Sequence, residues 1–485
     1  MLNSLTGMSK WKKLESFIYG NSDFIVIVIL GAYLRLTNII RDEFWYDEAF
    51  TGLMTKIPWE GFVKISGVDP HPPFFLLLIR AWTGLVGTTD LTIRILPAVF
   101  GILTVVLVYL TSKELFDKKT AAIAGLLTAI NPFLIAYSNE SRSYSIFAFL
   151  AVLSLYFLAR NKRSLFVVSA IAMVSIHFMG IFFLPGLAIT YAAIVLKEKK
   201  ISWAKEVLRV APLLLVTVLV LQKAISAGNA LGVDWARQNS FWSIPRSFTA
   251  FLFGVKSKLA GSDALREYNL PINMLFVGYA LFGAFLASIF KLFKESLKDK
   301  KGSTAILFIN LFLPQVLLIA YAMYRQENLY VERYLIPSGV FLMVLLGAVL
   351  VRTIKFEVMA VLLTLYVLVL FRSTNPDYYS GMKFLQENLK YAPHDIVFTK
   401  PIDYVVAKYY MYENREQLRI FDPENPSLDY SGWPFIEPKA KLSQEEAQSG
   451  NNVFVIPRYS FVPKEFSAVS TEGEYGDYSL YVFTH

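Results

Sequence analysis

The chain has 485 residues, 55% of them hydrophobic, 15% aromatic and only 18% charged, with a mean hydropathy of +0.45; an average soluble domain carries roughly 25% charge, so a soluble globular protein is excluded. The net charge of +9 sits in short loops between apolar runs, where Lys and Arg report membrane topology rather than a nucleic-acid surface. Cysteine is absent, which excludes disulfides, Cys-ligated zinc and thiol nucleophiles.

Lys10, Lys12 and Lys13 precede the first apolar run, about 23–40, and Ile39-Ile40-Arg41-Asp42 lacks the small residues of a cleavage site. An uncleaved first helix leaving the cytoplasm is expected. Residues 41–93 then form a first outer loop with interfacial helices. It holds Phe44-Trp45-Tyr46-Asp47-Glu48-Ala49 and Asp69-Pro70-His71-Pro72-Pro73. Its segment 73–87 is short for a span and carries Arg80, so it is expected to lie along the interface.

Spans follow at 94–112, 120–138 and 143–159, with two short ones within 164–196, and then at 206–223, 271–293, 303–324, 333–352 and 356–372. This assignment places Lys113, Lys118, Lys119, Arg160, Lys162, Arg163, Lys197, Lys291 and Arg352 inside. It makes residues 1–373 a polytopic α-helical membrane domain of about eleven spans, N-terminus in and C-terminus out. The outer loop 224–270 carries Trp235, Phe241-Trp242 and Phe251-Leu252-Phe253, which read as membrane contacts. Residues 374–485 turn soluble and are expected to form a small extracytoplasmic α/β domain. A helix is expected at 380–390 and strands at 395–399, 418–421, 453–456 and 480–483, while 405–411 fits either state.

On this topology Asp47 with Glu48, His71, and Glu140 with Arg142 share the outer face, joined by Arg333 and Tyr334 where the span 333–352 begins. Ionisable residues at the membrane edge of so apolar a chain mark a functional site. A carboxylate there can take the proton of an attacking hydroxyl. Arginine can hold a phosphate leaving group in bidentate geometry, and donors fixed beside its growing charge lower the barrier. The set suits a reaction on a lipid-linked substrate, with no nucleotide site. Plainer roles stand beside these. Asp47 and Glu48 can simply open a helix, and Glu140 with Arg142 can be an ion pair of little worth. His71 can be a turn residue and His177 a core histidine. Arg35, Arg94 and Arg333 can be anchors that snorkel to head groups.

The motifs run in order: Arg35-Leu36, Asp47-Glu48-Ala49, His71-Pro72-Pro73, Arg94-Ile95-Leu96-Pro97, Asn131-Pro132, and Tyr137-Ser138-Asn139-Glu140-Ser141-Arg142-Ser143-Tyr144. Each is weak alone. In this order, at the ends of spans, they resemble the GT-C membrane glycosyltransferases, in the branch of protein O-mannosyltransferases and aminoarabinose lipid A transferases (glycosyltransferase family 39-like). The resemblance is strongest over about 30–200 and continues loosely through Arg333-Tyr334-Leu335-Ile336-Pro337.

It implies an integral plasma-membrane enzyme of GT-C fold that moves a sugar, with inversion, from a polyprenyl-phosphate donor to an extracytoplasmic glycan, lipid or protein acceptor. By position it implies Asp47 as catalytic base or acceptor-orienting carboxylate, with Glu48 beside it and Glu140 as a second catalytic acid. His71, Arg142, Arg333 and Tyr334 would contact the donor's phosphate or lipid. No cofactor is required, though a divalent cation on Asp47, Glu48 and His71 is compatible with the donor types. The alternatives are a lipid-linked sugar flippase or transporter, an oligosaccharide transferase using a lipid-diphosphate donor, and a non-catalytic scaffold. Span centres nearly free of charge, and the lack of two similar halves, disfavour the transporter.

Overall fold

The computed structural model of the chain describes residues 20–37, 39, 43–69, 71–198, 200–226, 240–254, 272–296, 302–355, 359, 381–389, 395–421, 434–449, 452–457, 470–475 and 478–482. Helix α1 (Ser22–Leu36) leads into the segment expected as the first outer loop, which folds as α2 (Tyr46–Lys56), α3 (Trp59–Val68) and α4 (Phe74–Val86). Pro58 and Pro73 occupy the N-caps of α3 and α4 and separate the three pieces. A capping box starts α5 (Asp90–Leu115): Thr89 Oγ1 accepts the Thr92 N–H, and Thr92 Oγ1 accepts the Thr89 N–H.

The expected span 120–138 is broken. It forms α6 (Lys118–Ile130) and α7 (Pro132–Ser138), bent by 59°. Pro132 has no amide hydrogen to give the helix, and it forces Asn131 into an extended conformation at ψ 120°. The Asn131 side chain then caps α7 by accepting the Leu134 N–H at 2.9 Å. This bend carries the chain into the loop that holds Glu140 and Arg142. Helices α8 (Tyr144–Ala159), α9 (Arg163–Ile176), α10 (Gly180–Val195), α11 (Trp203–Ser226), α12 (Ser243–Phe253), α13 (Ile272–Ser296), α14 (Ser303–Arg325) and α15 (Ile336–Thr353) follow. A 3₁₀ turn, Glu332–Leu335, introduces α15.

Every expected span within the described residues carries a helix, but fewer than eleven are long enough to cross. Among the described residues four helical stretches qualify by length and composition, Asp90–Leu115, Trp203–Ser226, Ser303–Arg325 and Glu332–Thr353, or five if the bent pair is one span. Helices of 14 to 16 residues such as α8, α9 and α10 rise about 21–24 Å, short of a hydrocarbon core of roughly 30 Å. Apart from Met359, the expected span 356–372 lies outside the described residues, as do Lys10, Lys12, Lys13 and Trp235. The loop 224–270 also departs from expectation. Helix α12 buries Phe248 and Phe251 in the core, with Phe251 packed on Phe133 at 5.2 Å, while Phe241 and Trp242 remain exposed.

The C-terminal part contains α16 (Met382–Leu389), β1 (Ile396–Phe398), α17 (Pro401–Tyr410), β2 (Leu418–Ile420), α18 (Gln444–Ser449), β3 (Val453–Pro457), β4 (Ser470–Tyr475) and β5 (Tyr478–Val482). The sheet order is β2-β1-β3-β5-β4, with β1 parallel to β2 and β3, and β5 antiparallel to β3 and β4. The ambiguous stretch 405–411 belongs largely to helix α17, which Pro401 opens. Strand β4 escaped the sequence reading because Ser-Thr-Glu-Gly-Glu-Tyr lacks apolar alternation.

Candidate active site

Helix α2 opens at Tyr46, so Asp47 and Glu48 fall in its first turn, where the helix dipole favours carboxylates. Successive helical residues project about 100° apart, and the two part company. Glu48 turns inward and is 3% exposed. Arg94 Nη2 and Nε reach its two oxygens at 2.6 and 2.7 Å, and Oε1 also accepts the Ser141 N–H at 3.0 Å. Arg94 also donates to the carbonyl of Ile39 at 3.3 Å. It is therefore a buried partner and not an interfacial anchor. Asp47 turns to a different face, where Arg142 Nε stands 3.9 Å from Oδ2, beyond hydrogen-bonding distance.

His71 and Asp69 come from the link between α3 and α4. Asp69 Oδ1 lies 2.7 Å from the backbone N–H of His71 and 2.9 Å from its Nδ1. Burial works against the Asp69 charge, but the His71 ring, both hydrogen bonds and Arg142 outweigh it and hold the carboxyl below the usual range. This pairing orients the imidazole through its Nδ1.

The loop after the Asn131-Pro132 break supplies Glu140 and Arg142. Glu140 Oε1 is buried and has no hydrogen-bond partner among the described residues. Burial pushes its carboxyl well above the usual range; Arg333 opposes this, while Glu48 and Asp47 add to it. Burial also works against the Arg142 charge, but Asp47, Tyr144, Asp69 and Glu140 together outweigh it, so Arg142 stays a cation.

Arg333 is 6% exposed and lies 5.6 Å from the centroid of Trp45. It is thus enclosed by the site and does not snorkel to head groups. His177, in the turn between α9 and α10, is buried. It stacks on Phe147 at 5.0 Å, meets His71 edge-on at 5.9 Å and lies 5.8 Å from Tyr334. Its Nδ1 accepts the Met179 N–H at 3.2 Å. Burial, then the charges of His71, Arg142 and Arg333, hold it well below the usual imidazole range, so it is neutral.

Asp47, His71, Glu140, Arg142, Arg333 and Tyr334 are therefore brought together, and Glu48 stands behind them. Arg35, expected at the head groups, is 1% exposed instead. It donates to the carbonyls of Gly31, Thr128 and Ala129 and to Ser138 Oγ, tying α1 to both sides of the bent helix pair. Gly101 is required beside it, since a methyl there would overlap Ser138 Oγ. The cation set of Asp47, Glu48 and His71 is not assembled, because Arg94 engages both Glu48 oxygens. Among the described residues no group of three or more His, Asp or Glu is placed to hold a metal. Sequence reasoning missed Asp69, while its reading of His177 as a core histidine agrees with the burial of that ring. The Asp-x-His spacing was the available signal for the first; His177 has no local signal.

Residues 70–223, which include His71, Glu140 and Arg142, match the family model described as dolichyl-phosphate-mannose-protein mannosyltransferase. Curated protein sequences give no match. Among solved structures, the chain is similar to ArnT from Cupriavidus metallidurans in the apo state, with a TM-score of 0.60 at 11% identity over 96% of this chain and 98% of that one. ArnT bound to undecaprenyl phosphate gives 0.57 at 13% identity, over 95% and 98%. The Archaeoglobus fulgidus oligosaccharyltransferase in complex with zinc and sulfate gives 0.50 at 14%, over 90% and 68%. The family match over residues 70–223 and the shared fold agree with the resemblance drawn from the motifs: this chain has the fold of the GT-C membrane glycosyltransferases.

Proposed function

We propose that the protein is an inverting glycosyltransferase that moves a sugar from a polyprenyl-phosphate donor to an extracytoplasmic acceptor. The observation that carries this reading is the half-buried Asp47 carboxylate, held at 3.9 Å from Arg142 beside the unpartnered Glu140 oxygen and the enclosed Arg333. The acceptor hydroxyl gives its proton to Asp47 as its oxygen bonds the anomeric carbon. The bond from that carbon to the phosphate oxygen breaks on the opposite face, and its electron pair leaves with polyprenyl phosphate. Arg142 and Arg333 meet the charge that grows on the phosphate. His71, oriented by Asp69, and Tyr334 line the same side. Glu140, whose carboxyl burial pushes above the usual range, stands beside them to hydrogen-bond donor or acceptor.

Glu48 is assigned a positioning role in this scheme, because Arg94 and the Ser141 N–H use both of its oxygens. The outward orientation of the site rests on loop charge. The helix ends at Lys113, Lys118 and Arg160 lie at the far end of α5 from Arg94, whose 26 residues span about 39 Å, and basic loops stay in the cytoplasm. The likeness to ArnT, solved with undecaprenyl phosphate, favours a polyprenyl carrier.

The test is transfer of radiolabelled sugar from a panel of polyprenyl-phosphate and polyprenyl-diphosphate sugars by purified protein in liposomes, with hydrolysis counted as well. Turnover of a monophosphate donor that falls at least about 10³-fold in Asp47→Asn supports the proposal. Turnover of diphosphate donors alone, or activity retained by Asp47→Asn, contradicts it.

A further inference from the structure

Away from the site, polar contacts from the C-terminal part converge on one carboxylate. Asp90, the first residue of α5, accepts the Tyr409 hydroxyl at 3.1 Å, the Tyr410 hydroxyl at 3.1 Å and Lys383 Nζ at 2.7 Å. Arg94, which grips Glu48, follows one turn later on the same helix. The segment that leads into and forms α2 is held along its length from the same side. The Tyr410 hydroxyl accepts the Phe44 N–H at 2.7 Å. The Glu43 carboxylate accepts the Met382 and Lys383 N–H groups at 2.7 and 3.0 Å and so caps α16. Farther along, Gly52 lies against the Tyr409 ring so closely that any side chain there would overlap it. Lys56 closes the segment by donating to the Tyr409 carbonyl at 3.0 Å, with its ammonium 4.0 Å from the Tyr409 ring centroid.

Each of these contacts with the C-terminal part joins residues more than 290 positions apart in the chain. They leave the first turn of α2, which carries Asp47, between two fixed points: Phe44 on the Tyr410 hydroxyl and Glu48 on Arg94. Burial, then the Asp90 charge, keeps both tyrosine hydroxyls protonated and able to donate.

We infer that Tyr410 is a positioning residue for the transferase: its hydroxyl couples the C-terminal domain to the Asp47 turn by bridging the Phe44 amide and Asp90. The inference rests on the function proposed above. A carboxylate displaced by about 1 Å from a reacting hydroxyl loses on the order of 10²-fold in rate, so turnover follows how that domain is seated.

Tyr410→Phe removes the bridge while keeping the ring. In liposomes with the monophosphate donor, it should lower kcat by about ten- to a hundredfold and leave the donor KM within about twofold of wild type, as loss of orientation requires. Hydrogen exchange should quicken at the amides of 44–48 and stay unchanged in α14. An unaltered kcat, or unaltered exchange at 44–48, overturns the inference. If Tyr410→Phe does not fold, Glu43→Gln, which weakens the cap on α16, is read against the same two criteria. Wild type that transfers no sugar would defeat the proposed function, and exchange at 44–48 would then decide the coupling alone.

Discussion

At the end of the helices that carries Glu114 and Arg160, charged side chains close on one another. Arg160 lies 2.9 Å from Glu114, Arg163 3.0 Å from Glu206, and Arg352 3.5 Å from Asp117. At the opposite end Asp47 and Arg142 stand 3.9 Å apart, and the Glu140 oxygen is buried without a hydrogen-bond partner among the described residues. Charge is plentiful at both ends, so its amount does not distinguish them. The difference is where the charge finds its partners. Half-exposed pairs in water add little to stability, whereas incompletely paired charge in a buried setting is expensive. Such charge persists where a ligand completes it, and perturbed titration there points to function. The contrast also runs through the dipeptide Asp47-Glu48, where Glu48 is paired into the scaffold by Arg94 and Asp47, on the proposed reading, serves the chemistry.

The most forceful way to break this contrast is to treat the scaffold carboxylate as if it were catalytic. Arg94→Met leaves Glu48 buried without its cation and should destabilise the fold by about 3–5 kcal/mol. Adding Glu48→Leu to it should recover most of that loss. Thermal unfolding in detergent reads both, and an Arg94→Met protein that melts like wild type removes the distinction between the two carboxylates.

Glu140 offers a smaller, pH-dependent test. Burial raises its folded pKa above the ordinary value of 4.5, so the native state keeps a proton that the unfolded chain releases. Stability from this group is greatest below that value and is lost as pH rises through the window up to the raised pKa. Glu140→Gln cannot lose the proton. Its melting temperature should therefore exceed that of wild type at neutral and alkaline pH, by an equivalent of roughly 1–3 kcal/mol, and converge with it near about pH 4. Equal pH profiles for the two proteins would show that Glu140 ionises normally.

Least of all should change at the closed end. Arg160→Ala removes a half-exposed pair with Glu114 and should shift stability by less than about 1 kcal/mol, with turnover unaffected. A large loss of transfer in this variant would mean that the two ends are not functionally distinct.

Much of the candidate site was legible in the sequence because its residues sit beside span ends, where charge stands out against apolar runs. Asp47, His71, Glu140, Arg142, Arg333 and Tyr334 were all found that way and come together in space. What the sequence concealed was direction. Asp47 and Glu48 are equivalent neighbours in a linear reading, and only Arg94, distant in the chain, decides which of them turns inward. His177 is likewise defined by rings brought from His71 and Tyr334. The Asn131-Pro132 break was written in the chain, but run length alone read across it. Among the soluble elements, β1, β2, β3 and β5 announced themselves by their apolar residues. The docking of Tyr409 and Tyr410 onto Asp90 had no local signature at all.

The most direct test of the account is a single-turnover experiment on donor already bound in the membrane, comparing wild type with Asp47→Asn. Binding of the polyprenyl-phosphate sugar and release of polyprenyl phosphate on addition of acceptor are measured in the same liposomes. The account predicts that Asp47→Asn binds donor as tightly as wild type but releases no polyprenyl phosphate on the timescale of wild-type turnover. Release at the wild-type rate from the variant would contradict it, and the charge left open at that end of the bundle would need another explanation.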